Sequence, residues 1–140
     1  MAANPQRSVA STRPLSPHMT IYRWPVTMMT SITHRATGMA MAVGAVVLAW
    51  WLISISNGPE GYDSFHAVMD TMPGLVVMFG LTWSLAYHFF SGLRHLAWDL
   101  GYGFEKTLAE RNSVIVFALS FLAAIAIFAL FFTGHAGYLQ

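Results

Sequence analysis

The stretch VIVFALSFLAAIAIFALFF, residues 114–132, decides the fold, because it is a run of 19 residues that are all apolar except Ser120. At a helical rise of about 1.5 Å per residue it covers the roughly 30 Å hydrocarbon core of a bilayer. The whole chain shares this character: 56% of its 140 residues are hydrophobic and 9% are charged, against roughly 25% charged in soluble domains. The composition predicts an all-α membrane protein and excludes an ordinary soluble fold.

Two further apolar stretches precede this run. They cover residues 32–55 and 73–98. A turn-rich acidic segment, residues 57–61, and a piece that we expect at the membrane interface, residues 62–71, lie between them. Each stretch is long enough to cross the bilayer as a helix, so the sequence predicts three transmembrane helices.

The starts of the predicted helices carry recognisable signals. Pro73 suits the first turn of the second helix, where its missing N–H costs nothing, and Asn112 or Ser113 would cap the third helix. We divide the chain into a cytoplasmic tail with an interfacial segment, residues 1–30, and a three-helix transmembrane domain, residues 31–140.

The basic residues predict the orientation of the chain in the membrane. All seven lie around the N-terminal tail or the second loop: Arg7, Arg13, Arg23, Arg35, Arg94, Lys106 and Arg111. The first loop and the C-terminal tail carry none. Because cytoplasmic segments carry the excess of Lys and Arg, we expect the N-terminus in the cytoplasm and the C-terminus on the outer side.

His88 is an ionisable side chain deep within the second span. It precedes Arg94 by six residues, which places it about 9 Å deeper along a helix. Ionisable side chains are costly at this depth, and a buried neutral histidine needs a hydrogen-bond partner or a metal. His95 follows seven residues later, nearly two helical turns, so the two imidazoles share a face.

This face suits a haem that stands roughly upright in the membrane. His88 would bind the iron. The propionates would reach residues near the cytoplasmic interface, which are His34, Arg35, Arg94 and His95. Since the chain supplies a single histidine at mid-depth, the second axial ligand would come from another subunit.

A structural interpretation of the same residues stays open. His88 would then hydrogen-bond across helices, and the small residues Ser84 and Gly92, one turn on either side, would serve close helix packing. Under this hypothesis the chain is an anchor without haem.

A second candidate site lies where the first span begins. Ser31 and Arg35 are four residues apart, so a hydroxyl and a guanidinium share a helix face. With Trp24 and Ile32 as apolar walls, this pair could hydrogen-bond the carbonyl of a lipid-soluble quinone. The alternative is a capping and snorkelling segment, in which hydroxyls satisfy free N–H groups and Arg35 meets lipid phosphate.

Three motifs in these regions resemble one family. They are RPLSPHMTIY (residues 13–22), SITHRATG (residues 31–38) and HFFSGLRHLAWD (residues 88–99). In this order, over three predicted spans, they closely resemble the cytochrome b subunits of succinate dehydrogenase, the membrane anchors of respiratory complex II. The resemblance covers nearly the whole chain from about Arg13 onwards.

The resemblance implies an all-α subunit that packs with a second hydrophobic anchor in the lipid bilayer. The two anchors would dock the iron–sulfur and flavoprotein subunits and bind haem b and ubiquinone, so that electrons from succinate reduce the quinone. The chain would contribute no catalytic residue and could not oxidise succinate alone, because it has no flavin motif and no cysteine for a cluster. No nucleic acid is an expected partner.

The resemblance also implies roles for individual residues. His88 is expected to be the axial haem ligand, opposed by a histidine of the second anchor. The expected neighbours of the haem propionates are His34, Arg35 and His95. The expected quinone-site residues are Ser31, Arg35, Trp24 and Ile32.

The cellular membrane in which the protein lies and the direction of the reaction are two further expectations. We expect a multi-pass protein of the bacterial inner membrane, in preference to the mitochondrial inner membrane. An anchor of a fumarate reductase, which runs the reaction in reverse, is an alternative that the same site chemistry could support.

Overall fold

The computed structural model describes residues 22–137, with side chains as far as residue 133. Four helices account for most of these residues: α1 (Val26–Ser56), α2 (Pro59–Met69), α3 (Met72–Asp99) and α4 (Lys106–Gly137). Residues 13–21 of the first motif and most of the predicted tail lie outside the described residues.

Three of the helices are long and apolar enough to cross a membrane, as the sequence predicts. They are α1, α3 and the part of α4 that extends to Thr133. The remaining helix, α2, has 11 residues and lies where the sequence indicates an interfacial piece. The prediction of an all-α fold with three apolar helices of spanning length is therefore confirmed.

Two of the spanning helices begin before their apolar runs. α1 begins at Val26 and α4 begins at Lys106. The prediction that Asn112 or Ser113 caps the last helix is wrong, because Ser113 lies inside α4 and its hydroxyl donates to the carbonyl of Ala109 at 2.7 Å. The preceding turn contains Lys, Leu, Ala, Glu and Arg. These are strong helix formers, so the helix begins several residues before the apolar run.

The corner between α2 and α3 depends on a glycine. The first turn of α3 contains Pro73, as predicted, and the Thr71 hydroxyl accepts a hydrogen bond from the N–H of Gly74 at 3.3 Å. A Cβ at Gly74 would lie 2.5 Å from the carbonyl oxygens of Val68 and Met69. Any larger residue would therefore force the two helices apart.

α3 is the central helix and contacts each of the other three. Small hydroxyl side chains make up much of the bundle interior, and the fully buried ones are Thr30, Ser91, Ser113 and Ser120. In a bilayer, large apolar side chains gain little by facing the interior, whereas small residues let helices approach closely. Large apolar side chains accordingly cover the outer surface of the bundle.

Candidate functional site

Three imidazoles from two helices meet on one side of the bundle. The rings of His34 on α1 and His88 on α3 stack, with centroids 4.0 Å apart and planes inclined by 19°. The ring of His95, also on α3, lies 5.2 Å from that of His34 and is inclined to it by 49°. We call these three residues the imidazole cluster. Since both rings of α3 contact the same ring of α1, they share a face, as their spacing indicates.

The stacked pair lies well inside the spanning helices. His88 precedes the end of α3 at Asp99 by 11 residues, about 16 Å along the helix axis. His34 follows the start of α1 at Val26 by eight residues, about 12 Å along the axis. The two polar rings therefore lie beyond the first turns of their helices, where side chains contact lipid or protein.

Two nitrogen atoms of the imidazole cluster are buried and unpaired. Nε2 of His34 and Nδ1 of His88 have no hydrogen-bond partner among the described residues. A buried polar atom without a partner costs roughly 1–3 kcal/mol. Buried polar atoms usually have partners, so these two atoms distinguish the imidazole cluster as a candidate site.

A glycine of α1 lies against the His88 ring. A Cβ at Gly38 of α1 would lie 3.3 Å from Cε1 and 3.7 Å from Nδ1 of His88. Open space lies beside Gly92, where an added Cβ would meet nothing within 4 Å, whereas Ser84 is buried in the bundle. The ring is thus packed closely against α1 and has free space one turn further along α3.

Arg94 points into the middle of the bundle, and its exposed fraction is 7%. One terminal nitrogen of its guanidinium donates to Oγ1 of Thr30 on α1 at 3.2 Å and to Oγ of Ser113 on α4 at 2.9 Å. The hydroxyl of Tyr87, also on α3, donates to the carbonyl of Thr30 at 3.1 Å. We call these four residues the three-helix tie.

The position of Arg94 differs from the sequence interpretation, which included it among the residues that reach a haem propionate. Its guanidinium instead bonds to hydroxyls of the neighbouring helices. The spacing holds a signal for this outcome, because Arg94 and Tyr87 are seven residues apart and share a face of α3. That face differs from the one that carries His88 and His95.

The candidate quinone residues lie at the start of α1. Trp24, Ile32 and Arg35 are exposed, and Ser31 is half-buried. Ser31 and Arg35 lie one turn apart, on the side of α1 that also carries His34. Neither side chain forms a hydrogen bond with another residue in the described part of the chain.

The imidazole cluster does not form a metal site on its own. Among residues 22–133, no three His, Cys, Asp or Glu side chains are arranged to hold a metal ion. A single imidazole can nevertheless provide one axial ligand to a haem iron, whose other axial ligand comes from elsewhere. The described residues therefore supply single imidazoles and no complete set of metal ligands.

Comparison with known proteins identifies the group to which this arrangement belongs. The family described as succinate dehydrogenase/fumarate reductase transmembrane subunit matches residues 10–127. The succinate dehydrogenase cytochrome b556 subunit of Paracoccus denitrificans is 38% identical over 120 residues, which cover 86% of this chain and 92% of the relative. The mitochondrial succinate dehydrogenase cytochrome b560 subunit of Sus scrofa is 34% identical over 126 residues, which cover 89% of this chain and 75% of the relative.

A third relative, the cytochrome b556 subunit of Rickettsia prowazekii, is 38% identical over 100 residues, which cover 71% of this chain and 77% of the relative. These matches extend over most of the chain. The family match includes all of α1, α2 and α3, and with them the imidazole cluster. The chain therefore belongs to the family of succinate dehydrogenase and fumarate reductase transmembrane subunits.

Proposed function

We propose that this chain is the cytochrome b membrane anchor of a succinate:ubiquinone oxidoreductase. Family membership supports the role of anchor, and the names of the relatives, cytochrome b556 and b560 subunits, support a haem. The observation that carries the proposal is the stacked pair of His34 and His88, with its buried and unpaired nitrogen atoms. Lipid offers those atoms no hydrogen-bond partner.

The residues around His88 fit a haem b. Nδ1 of its imidazole is buried and unpaired, and an added Cβ at Gly92, one turn further along α3, would meet nothing within 4 Å. When bound, the haem supplies a one-electron carrier whose potential depends on its axial ligands and surroundings. In this assignment His88 would hold the haem iron, and the second anchor would supply a further histidine.

Three side chains near His88, two on α1 and one on α3, are assigned to the haem propionates. They are His34, Arg35 and His95, all of which can donate hydrogen bonds to a carboxylate. Arg94 is left out of this group, because the three-helix tie already engages its guanidinium.

Ser31 and Arg35 are assigned to the quinone. Each can donate a hydrogen bond to a quinone carbonyl, Ser31 through its hydroxyl and Arg35 through its guanidinium. Reduction places negative charge on that oxygen, and donors that are already in position stabilise the charge. Trp24 and Ile32 would hold the quinone ring by apolar contact.

The positions of these side chains also support an arrangement of the complete complex. A second hydrophobic anchor would cover the imidazole cluster, and the iron–sulfur and flavoprotein subunits would dock at the end of the bundle where α1 begins. The distribution of basic residues supports a cytoplasmic N-terminus and an outer C-terminus. The relatives from Paracoccus and Rickettsia support a bacterial inner membrane as the location.

An anchor of a fumarate reductase is the second candidate, because the family description includes both enzymes. The same side chains would serve either direction of the reaction. Succinate oxidation and fumarate reduction by the purified complex, each measured with quinones of different potential, distinguish the two.

The haem assignment is tested by a reduced-minus-oxidised spectrum of the purified membrane complex. The wild-type complex is expected to show a b-type spectrum, and His88→Ala is expected to abolish or shift it. His66→Ala is the matched control, because His66 lies on α2 and contacts Asp70 instead of the imidazole cluster. A wild-type complex without haem would refute the assignment and leave a purely structural anchor.

A further inference from the structure

Arg94 is a buried cation without an acidic partner. Its exposed fraction is 7%, and the one ion pair between side chains of residues 22–133 joins His66 and Asp70. A guanidinium inside a spanning helix is costly, so its position requires a reason. The groups that receive it are the hydroxyls of Thr30 and Ser113.

Both hydroxyls are prepared to accept hydrogen bonds. The Thr30 hydroxyl donates its own proton to the carbonyl of Thr27 at 2.7 Å, and the Ser113 hydroxyl donates to the carbonyl of Ala109 at 2.7 Å. Each oxygen therefore presents lone pairs to Arg94. Because the acceptors belong to α1 and α4, one guanidinium fixes both helices against α3.

Thr30 is held at two points by α3. Arg94 donates to its hydroxyl, and Tyr87 donates to its carbonyl. The two donors are seven residues apart, so they approach Thr30 from positions nearly two turns, or about 10 Å, apart along α3. Two bonds of this kind fix both the height and the rotation of α1 against α3.

Thr30, the residue at which α3 holds α1, lies close to the imidazole cluster. Thr30 and His34 are four residues apart on α1, one helical turn or about 6 Å along the axis. The His34 ring in turn stacks on His88 at 4.0 Å. A rotation or slide of α1 at Thr30 would therefore displace the His34 ring from the His88 ring.

We propose that Arg94 is a positioning residue that acts through Thr30 to hold His34 against His88. Ser113 holds the guanidinium from the α4 side and so orients it towards Thr30. The spectroscopic part of the test rests on the proposed haem function, whereas the three-helix tie itself can be tested without haem.

The first test compares haem spectra and midpoint potentials of complexes with substitutions in the tie. Thr30→Val removes the acceptor at constant volume, and Arg94→Lys keeps the charge but shortens the donor. Each is expected to shift the haem band or the midpoint potential. The double variant is expected to shift them no further than Arg94→Lys alone, because both changes remove the hydrogen bond from Arg94 to Thr30. Thr30→Ser keeps the hydroxyl and is expected to match the wild type.

The control is Ser120→Ala. Ser120 is also fully buried on α4, but its hydroxyl donates to Phe117 within its own helix. It is expected to leave the haem spectrum unchanged. Additive effects of Thr30→Val and Arg94→Lys, or effects no larger than those of Ser120→Ala, would overturn the proposal.

The second test measures amide hydrogen exchange over residues 26–37 of the complex. Thr30→Val and Arg94→Lys are expected to raise exchange there more than Ser120→Ala does, because α1 loses its fixed point. Equal exchange in all three variants would overturn the proposal. If the wild-type complex lacks haem, the haem function fails, and this second test still decides the role of Arg94.

Discussion

The ring of His34 on α1 lies parallel to within 19° of the ring of His88 on α3, and the two centroids are 4.0 Å apart. This contact joins two spanning helices through polar rings. Nε2 of His34 and Nδ1 of His88 are buried and have no hydrogen-bond partner among the described residues. Because the contact depends on a close approach of α1 to α3, substitutions that change this approach are expected to change the binding of the proposed haem.

Gly38→Val is expected to lower haem occupancy. Its Cβ alone would lie 3.3 Å from Cε1 of His88, and the branched methyl groups would press further on the ring. Overpacking of this kind costs roughly 1–3 kcal/mol, which corresponds to a loss of about fivefold or more in haem affinity. The ratio of haem to flavin in the purified complex measures the effect.

Gly80→Ala provides the control for this change. An added Cβ at Gly80 on α3 meets nothing within 4 Å, so haem occupancy is expected to stay at the wild-type level. If Gly38→Val binds haem as well as Gly80→Ala does, the His88 ring does not occupy the position described above when haem is bound.

Ser31→Ala and Arg35→Gln are expected to raise the KM for ubiquinone. A hydrogen bond from a charged donor contributes roughly 1.5–3 kcal/mol and one from a neutral donor about 1 kcal/mol. We therefore expect an increase of about tenfold or more for Arg35→Gln and about fivefold for Ser31→Ala. Steady-state quinone reduction by the complex provides the measurement.

Ser56→Ala is the matched control for the quinone variants, because Ser56 lies at the opposite end of α1 and its hydroxyl donates to Ile53 in the same helix. It is expected to leave the KM unchanged. A wild-type KM in both Ser31→Ala and Arg35→Gln would place the quinone elsewhere.

Gly74→Ala is expected to destabilise the bundle without directly touching the imidazole cluster. The new Cβ would lie 2.5 Å from two carbonyl oxygens at the corner of α2 and α3. We expect a loss of roughly 1–3 kcal/mol in the free energy of unfolding, seen as a lower melting temperature of the detergent-solubilised complex. A melting temperature equal to that of Gly80→Ala would contradict the geometry of this corner.

The orientation of the chain can be tested by labelling, because the chain contains no cysteine. A cysteine at Glu60, between α1 and α3, is expected to react with an impermeant maleimide added to the outer side of the membrane. A cysteine at Tyr102, between α3 and α4, is expected to react only after the cytoplasmic side is opened. The reverse pattern would invert the topology that the positive residues indicate.

The sequence predicts the spanning helices well, because apolar runs of this length have few other uses. It underestimates how far α1 and α4 extend. The hydropathy signal stops where polar residues begin, but backbone hydrogen bonding continues to Val26 and Lys106 at the helix starts. The ends of the helices could therefore be located only from the structure.

Side-chain partners across helices could be predicted only in part. Periodicity indicates that His88 and His95 share a face, since that relation lies within one helix. Neither the stacking of His34 on His88 nor the bond from Arg94 to Ser113 follows from spacing. Both depend on the relative rotation and depth of different helices, which the sequence of a single helix does not specify.

The hydroxyl-rich interior of the bundle has a consequence for sequence variation. Positions such as Ser91 and Ser120 are fully buried, whereas Leu122 and Leu130 on the same bundle are more than half exposed. An exchange of one bulky aliphatic side chain for another is therefore tolerated on the outer surface, which contacts fluid lipid. An added methyl group in the closely packed interior is expected to destabilise the bundle. Substitutions are therefore expected to accumulate on the outer surface, as exchanges among apolar side chains.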